Sequence, residues 1–590
     1  MRRGISTVCL WVITCLTGCT FIDSFKYHAQ FSSTMNPEKD SIYREKAQPS
    51  YIPVDFNESS RLYYLCKVWG FAKYFHERNE VSRKKPVNAD SLLLNAIPMV
   101  LKAHSKQAFR SVLSKMIAEF GNGGDKRSNP FPDLKDYSLL DNNWFEDTIC
   151  LDKKIRTQLE QLFYTHTGRQ SDFAYNRKNE GTVRLSNENT YTSFADEKLR
   201  LLGLFRYWNV INFFYPSKNY TDENWDEVLY TSIPKFRTAS SQVDYRKEIY
   251  RLTNKLKDRH TSYPASIDGF LFGAYRPNFQ LSRIGDSLVI SKIRDPQKNK
   301  EGFKCGDILL SVDGQDAIHL YDSLASFTGG GNRWSEQRFI CNAVISIKDS
   351  VNKFTVLRNG ERRVIHSRNR KAWDWHQDKR KRIKENEDTP LAKYIRPSIA
   401  YFDLTSANKD NFAENFERVK DAKSVILDLR CYPNTSVLFA LAENFVPPNS
   451  VFAYVAYADT RYPGMLRMHP SSKPIGSEGY FKGQIIVLVN EETGSFSEYA
   501  TMLLQANKKT KVVGTLSSGA DGNVSTLEFP GQIKTIYSGI GIYYPGMIAT
   551  QRKGVRIDFP IEPTIESIRS SRDIALEKAI QIIGSPGKSL

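Results

Sequence analysis

Apolar positions in the first 260 residues recur with the three-to-four-residue period of amphipathic helices, and the pattern occurs twice. "RLYYLCKVWGFAKYFHE" (61–77) and "RLLGLFRYWNVINFFYP" (200–216) carry Arg, Leu and Trp at the same offsets. Each is followed by a second helical stretch, "ADSLLLNAIPMVLKA" (89–103) and "WDEVLYTSIPKFRTA" (225–239), with an Ile-Pro pair at the same place. The pattern predicts two copies of one small helical unit, with the Trp and Phe stripes as core. Between about 270 and 370 the period falls to two, in "DSLVISKI" (286–293), "GDILLSVDGQ" (306–315) and "NKFTVLRNGERRVIHS" (352–367), the last turning at an Asn-Gly hairpin signal. Further on, apolar strands at 398–404, 424–430, 484–490 and 511–516 alternate with amphipathic helices at 409–422, near 435–446 and at 495–506. That alternation predicts a sheet covered by helices.

Composition changes this picture at the ends. The chain has 590 residues, too many for one core, and its 40% hydrophobic content is that of a globular protein. The start, "MRRGISTVCLWVITCLTGCT", has two arginines, a short apolar stretch and small residues before Cys19, the layout of a secretory signal. "LTGC" (16–19) resembles the bacterial lipobox, which implies lipidation of Cys19 and a polar tether over 20–52. No later stretch has the roughly 18 uninterrupted apolar residues of a membrane span. The net charge of +18 is scattered among acids, and the dense run "DKRKRIKENE" (378–387) reads as a solvated linker. Nucleic acid is therefore not expected as a partner, and attraction to an anionic membrane is the simpler reading. Of eight cysteines, Cys66, Cys150, Cys305, Cys341 and Cys431 remain after the signal, without metal-like spacing, so neither a metal nor another cofactor is expected.

Two places carry candidate chemistry. In "VNEETGSFSEYATMLLQ" (489–505), Ser495 and Glu498 form a capping-box pattern at a helix start. A nucleophile benefits from the same address, because the free amides of the first helical turn can hold a developing oxyanion. Position alone leaves both readings open. The second place is "NKLKDRHTSYP" (254–264) at the end of the second helical copy; the first copy ends in "MIAEFGNGGD" (116–125) and lacks the equivalent of His260.

Four pieces in order, "SVILDLRCYPN", "GQIIVLVNEETGSFSEYATMLLQANKKTKVVGTLSSGADGNVS", "GIGIYYPG" and "KGVRIDFPIEPT", resemble the tail-specific (C-terminal processing) serine peptidase family, above all its tricorn-core-like branch. "EGFKCGDILLSVDG" (301–314) resembles a PDZ domain, placed between histidine motif and catalytic domain as in that family. The resemblance implies a multidomain α+β protein: duplicated helical unit, PDZ-like β domain and C-terminal α/β peptidase domain of the crotonase/Clp-protease type. The expected segments are signal 1–19, tether 20–52, first repeat 53–135, connection 136–189, second repeat 190–266, PDZ-like domain 267–370, basic linker 371–392 and catalytic domain 393–590.

It also implies Ser495 as nucleophile, His260 as general base and an oxyanion hole from the amides of Phe496 and Asn434, the last where relatives carry a glycine pair and this chain has Asn434 and Thr435. A lysine base is excluded, since Ala520 stands in its place. The branch also has a serine before its histidine and a distant glutamate; here Arg259 precedes His260 and Gln551 is the nearest polar residue to the glutamate position, so Gln551 and Asp521 are the candidates for orienting the imidazole. The implied function is an envelope-anchored serine endopeptidase, periplasmic rather than surface-exposed, acting on peptides or protein tails. The alternatives are a catalytically inactive peptide-binding scaffold of the same fold and, more weakly, a protein that adheres to membranes by its basic charge.

Overall fold

The computed structural model describes residues 52, 54–79, 87–121, 127, 139–261, 269–385, 389–471 and 475–584. Cys19, its signal and nearly all of the expected tether lie outside the described residues. Helices α1 (Glu58–Phe75), α2 (Ala89–Lys102), α3 (Lys106–Phe120) and α4 (Lys153–Thr165) precede a small hairpin of β1 (Ala174–Asn176) and β2 (Val183–Leu185). Then come α5 (Glu197–Phe214), α6 (Trp225–Thr238) and α7 (Gln242–Asn254). Nearly every residue of α1 and α5 is buried, as expected of helices apolar on all sides.

The two helical copies repeat their polar contacts. Arg61 Nε donates to the Val100 carbonyl at 3.0 Å and Arg200 Nε to that of Phe236 at 2.8 Å. The Trp69 and Trp208 indoles donate to the Ala89 and Trp225 carbonyls, each at 2.7 Å. The copies also exchange charges: Lys67 of the first pairs with Asp226 of the second, and Arg206 of the second with Asp90 of the first. Helix α1 meets α5 closely at Gly70, where any Cβ would overlap the Asn209 side chain.

In the middle region β3 (Tyr275–Arg276) leads into an antiparallel sheet of β4 (Phe279–Ile284), β5 (Ser287–Ile293), β6 (Ile308–Val312), β7 (Gln315–Asp316), β8 (Val351–Arg358) and β9 (Glu361–Arg368). Its order is β4-β5-β6-β8-β9, with β7 on β6 and helices α8 (Ala317–Ala325) and α9 (Arg333–Val344) between β7 and β8 in sequence. Strand β10 (Arg370–Lys371) returns to pair with β3. The run read as a solvated linker is a helix over most of its length, α10 (Ala372–Glu385). Its Lys, Arg and Glu are good helix formers, and Trp375 anchors it by burial and an indole bond to the Arg276 carbonyl at 3.1 Å.

The C-terminal region contains β11 (Ala392–Arg396), β12 (Ile399–Asp403), α11 (Lys409–Glu417), β13 (Ser424–Asp428), α12 (Val437–Phe445), β14 (Tyr454–Ala458), β15 (Leu466–Pro470) and β16 (Gln484–Val489). It continues with α13 (Phe496–Leu504), β17 (Thr510–Gly514), β18 (Val524–Phe529), β19 (Ile533–Ser538), β20 (Ile540–Tyr544), β21 (Ile548–Ala549), β22 (Phe559–Pro560), α14 (Ile565–Arg569) and α15 (Ile574–Gly584). The main sheet runs β11-β12-β13-β16-β17-β22 and is parallel apart from β11. Strand β16 can be apolar at successive positions because both faces are covered: Ile485 and Val487 face one core, Ile486 and Leu488 the other, beside Ala575 and Ala579 of α15.

A second sheet, β15-β14-β20-β21, flanks this core. The hairpin β18–β19 leaves the C-terminal region and enters the helical core, where Phe529 packs on Tyr207 and Phe236, and Tyr537 on Tyr215. A Cβ on Gly203 of α5 would lie 2.9 Å from Phe529 and Pro530, so only glycine lets the hairpin in. The hairpin ends at Ser538, beside the loop that follows α7.

Candidate active site

Strand β16 ends in the centre of the parallel sheet, and the chain turns through Asn490–Gly494 to start α13. Ser495 sits at the turn with φ 51° and ψ −116°, a left-handed region that a non-glycine residue enters only under constraint. The constraint is Glu498. Its buried carboxylate accepts from the amides of Ser495 (3.1 Å), Gly519 (2.7 Å) and Ala520 (3.1 Å) and from the Ser517 hydroxyl (2.6 Å). Burial raises the Glu498 carboxyl above the ordinary range, and the bonds from Ser517 and Gly519 act against that rise. Ser495 faces the Glu498 amide in the capping-box arrangement, yet its hydroxyl makes no cap hydrogen bond. The glutamate restrains the turn while the serine oxygen is left for other work.

The turn is tied on both sides. Thr493 Oγ1 donates to the Leu429 carbonyl at 2.8 Å and Ser497 Oγ to that of Cys431 at 2.6 Å, joining it to the turn after β13. On the other side the Ser495 amide also donates to Ala520 O at 3.1 Å, and the Ser518 amide to Thr493 O at 2.8 Å. Phe496 supplies the first amide of α13. Tyr432, 47% exposed, reaches over the turn. Burial raises its phenol, with the Ser495 side chain and the Phe496 amide acting against that rise, and its ring centroid lies 6.2 Å from that of Phe496. The Asn434 amide does not join this hole: it donates to the Ala407 carbonyl at 3.1 Å. In this structure the Asn434 member of the expected donor pair is therefore engaged with the neighbouring loop.

His260 lies in a helical turn just beyond α7 and is partly buried. Its Nδ1 is 2.8 Å from Ser538 Oγ and 3.5 Å from Asp258 Oδ1. Asp258 is buried and accepts from the His260 amide (3.0 Å), the Ser538 amide (2.6 Å) and the Ser538 hydroxyl (3.0 Å). Burial alone would raise this carboxyl, but its bonds with His260 and Ser538 hold it below the ordinary carboxylate range.

Neither residue expected to orient the imidazole does so. Gln551 Nε2 donates to the Tyr215 hydroxyl at 3.3 Å. Asp521 is buried with Oδ1 accepting from the Gly522 amide at 2.7 Å and Oδ2 lacking a partner, and burial drives its carboxyl well above the ordinary range. Asp258 was visible in "DRH" two positions before the histidine; Ser538 carried no signal in sequence, since only the hairpin brings it there.

Arg259 joins the two halves. Its guanidinium lies against Gly494, where a Cβ would overlap it, so the residue after Asp258 touches the residue before Ser495. Burial, with Arg338 nearby, pulls the Arg259 guanidinium down to about 10, while Glu498 and Glu492 act against that fall. The His260 imidazole and the Ser495 hydroxyl stand on these adjoining segments without a hydrogen bond between them. Among the described residues no group of His, Cys, Asp and Glu could hold a metal ion, and no helix is long and apolar enough to cross a membrane.

Residues 398–567 match peptidase family S41. No curated protein sequence matches the chain. Among solved structures, mature CPAF complexed with lactacystin is 14% identical with a TM-score of 0.50, covering 66% of this chain and 98% of that one. A CPAF point mutant is 13% identical with a TM-score of 0.51, covering 67% and 99%. The photosystem II D1 C-terminal processing protease is 14% identical with a TM-score of 0.38, covering 65% and 97%. The CPAF structures are likenesses of fold; the family match rests on the strands and turns that hold Ser495. Over residues 398–567, which hold Ser495, the chain is thus similar to peptidase family S41, and this match supports a serine peptidase.

Proposed function

We propose that the chain is a serine endopeptidase that cleaves peptides or protein tails through an acyl-enzyme, with Ser495 as nucleophile and His260 as general base. The observation that carries this reading is the Asp258–Ser538–His260 assembly, whose central Arg259 rests against the glycine next to Ser495. In the reaction His260 Nε2 takes the Ser495 proton as Oγ attacks the scissile carbonyl carbon. The oxyanion draws on the Phe496 amide, and removing such a donor costs about 2.7–4 kcal/mol of barrier. Collapse expels the amine with the proton from the imidazolium, and water then hydrolyses the ester by the same route. Asp258 stabilises the imidazolium through Nδ1, and bringing imidazole and hydroxyl into contact is left to substrate binding.

The sheet edge at β4, which packs against α9, supports capture of an extended peptide by strand addition, the mode of a PDZ-like domain. The "LTGC" run and polar segment after it support anchoring through a lipid on Cys19 to a bacterial envelope membrane, facing the periplasm. Labelling of the purified chain by a serine-directed phosphonate tests the chemistry: it is abolished in Ser495→Ala and weakened in His260→Ala. A folded protein that takes no label is instead a peptide-binding scaffold. Incorporation of labelled palmitate in cells, lost in Cys19→Ala, tests the anchor.

A further inference from the structure

The seam between the middle sheet and the S41 domain holds a cavity of about 570 Å³. Four of its charged lining residues are cations, Lys292 and Arg294 at the end of β5 and Lys379 and Arg382 on α10, against one carboxylate, Asp403 at the end of β12. Asp403 is engaged with its own loop, accepting from the Thr405 amide at 2.9 Å. Arg382 reaches Asp295 only at 3.8 Å, and Arg294 Nε donates to the neutral Phe279 carbonyl at 2.9 Å. Lys292 and Lys379 form no ion pair with the described residues. Burial draws the Arg294 guanidinium down to about 10, as for a cation short of counter-charge. A concave site with excess positive charge and low-dielectric walls concentrates anions.

The cavity also lies beside the chemistry. Lys379 acts electrostatically on Cys431 in the turn after β13, and Lys379 and Lys292 both act on Glu492, three residues before Ser495. The loop that leaves Asp403 carries Ala407, whose carbonyl holds the Asn434 amide. The cavity's lysines thus act electrostatically on both turns that flank Ser495, and its Thr405 and Ser406 adjoin the residue that holds the first of them.

We propose that this cavity is the subsite that receives an acidic side chain of the peptide substrate, so that carboxylate-bearing segments are the preferred substrates. The proposal rests on the peptidase reading and specifies the substrate class of that site. Lys379 and Arg382 close on the carboxylate from α10, and Lys292 from the edge of β5. The Ile293 and Trp375 side chains, also in the lining, cover the apolar stem of a Glu or Asp residue.

The test uses the full chain carrying Ser495→Ala, which binds without turnover, and two fluorescent peptides that differ only in a Glu-Glu or Gln-Gln pair. Anisotropy is expected to show the acidic peptide bound at least tenfold more tightly at low salt, with the difference shrinking as salt rises. It is expected to disappear in Lys379→Glu and in Lys292→Glu, each made so that one misfolded variant does not decide the matter. Equal binding of the two peptides overturns the proposal. So does loss of the preference on amidating the peptide C-terminus, which would mean the site reads a chain end, and so does equal competition by inorganic phosphate. Phosphonate labelling of the wild-type chain reports the chemistry separately: a chain that labels but binds both peptides alike keeps the peptidase reading and loses the subsite.

Discussion

The two helical copies share a framework and differ at one end. In each, an arginine and a tryptophan on the central helix cap carbonyls of the next helix, and across their interface each copy gives a cation to the other's aspartate. Helix α3 of the first copy stops at Gly121, with φ 118°. Its counterpart α7 continues through Lys255 and turns at Lys257, with φ 49°, to present Asp258, Arg259 and His260. The β18–β19 hairpin packs on α5 of the second copy and brings Ser538 with it.

The largest effect that should separate the copies is on turnover. His260→Ala is expected to lower kcat by about 10⁴-fold or more with the fold intact. His76→Ala in the first copy, whose ring contacts the Gly121 carbonyl at 3.1 Å, should leave turnover per folded molecule unchanged. Steady-state kinetics on a peptide substrate, with circular dichroism as the fold control, checks both.

Next come the reciprocal ion pairs. Lys67→Met and Arg206→Met each strand a buried aspartate and should each cost about 3–5 kcal/mol in urea unfolding. Arg206 also pairs with Glu188 at 2.8 Å, so its loss should be the larger, and a smaller loss than that of Lys67→Met would break the comparison.

Asp258→Asn should lower kcat by about 10²- to 10³-fold, because the amide can still meet Ser538 but no longer stabilises an imidazolium. The Asp258 carboxyl is held below its ordinary range, so its contribution to stability is present above the unfolded-state pKa and is lost as pH falls through the folded one. The stability gap to wild type should be full at neutral pH and narrow in acid.

Asp521 should show the smallest effect and the opposite sign. Its raised carboxyl favours folding in acid, and that contribution is lost as pH rises from the ordinary carboxylate range through the folded value. Asp521→Asn should therefore gain on wild type as pH increases, by about 1–2 kcal/mol at mildly alkaline pH, read from urea midpoints at several pH values.

Much of this site was legible locally. Ser495 and Glu498 are three apart at a strand-to-helix turn, and the histidine difference between repeats singled out His260. The orienting residues were not, because the choice between carboxylates depends on solvation and partners. Asp521 lies closer to Ser495 in sequence than Asp258 does, yet one of its oxygens is orphaned, while Asp258 is fully bonded. The Asn434 amide likewise reads as an oxyanion donor until the loop at Ala407 takes it. The basic run on α10 reads as linker until a buried tryptophan fixes it against the middle sheet.

Sequence by itself determined the repeated helical unit, the parallel apolar strands and the serine turn, since periodicity and capping chemistry act over a few residues. Only the tertiary structure decided which carboxylate meets the imidazole, which amide stays free and which cations share a cavity. Those outcomes depend on burial and on contacts hundreds of residues apart, set here by a hairpin that glycine at position 203 admits into the helical core.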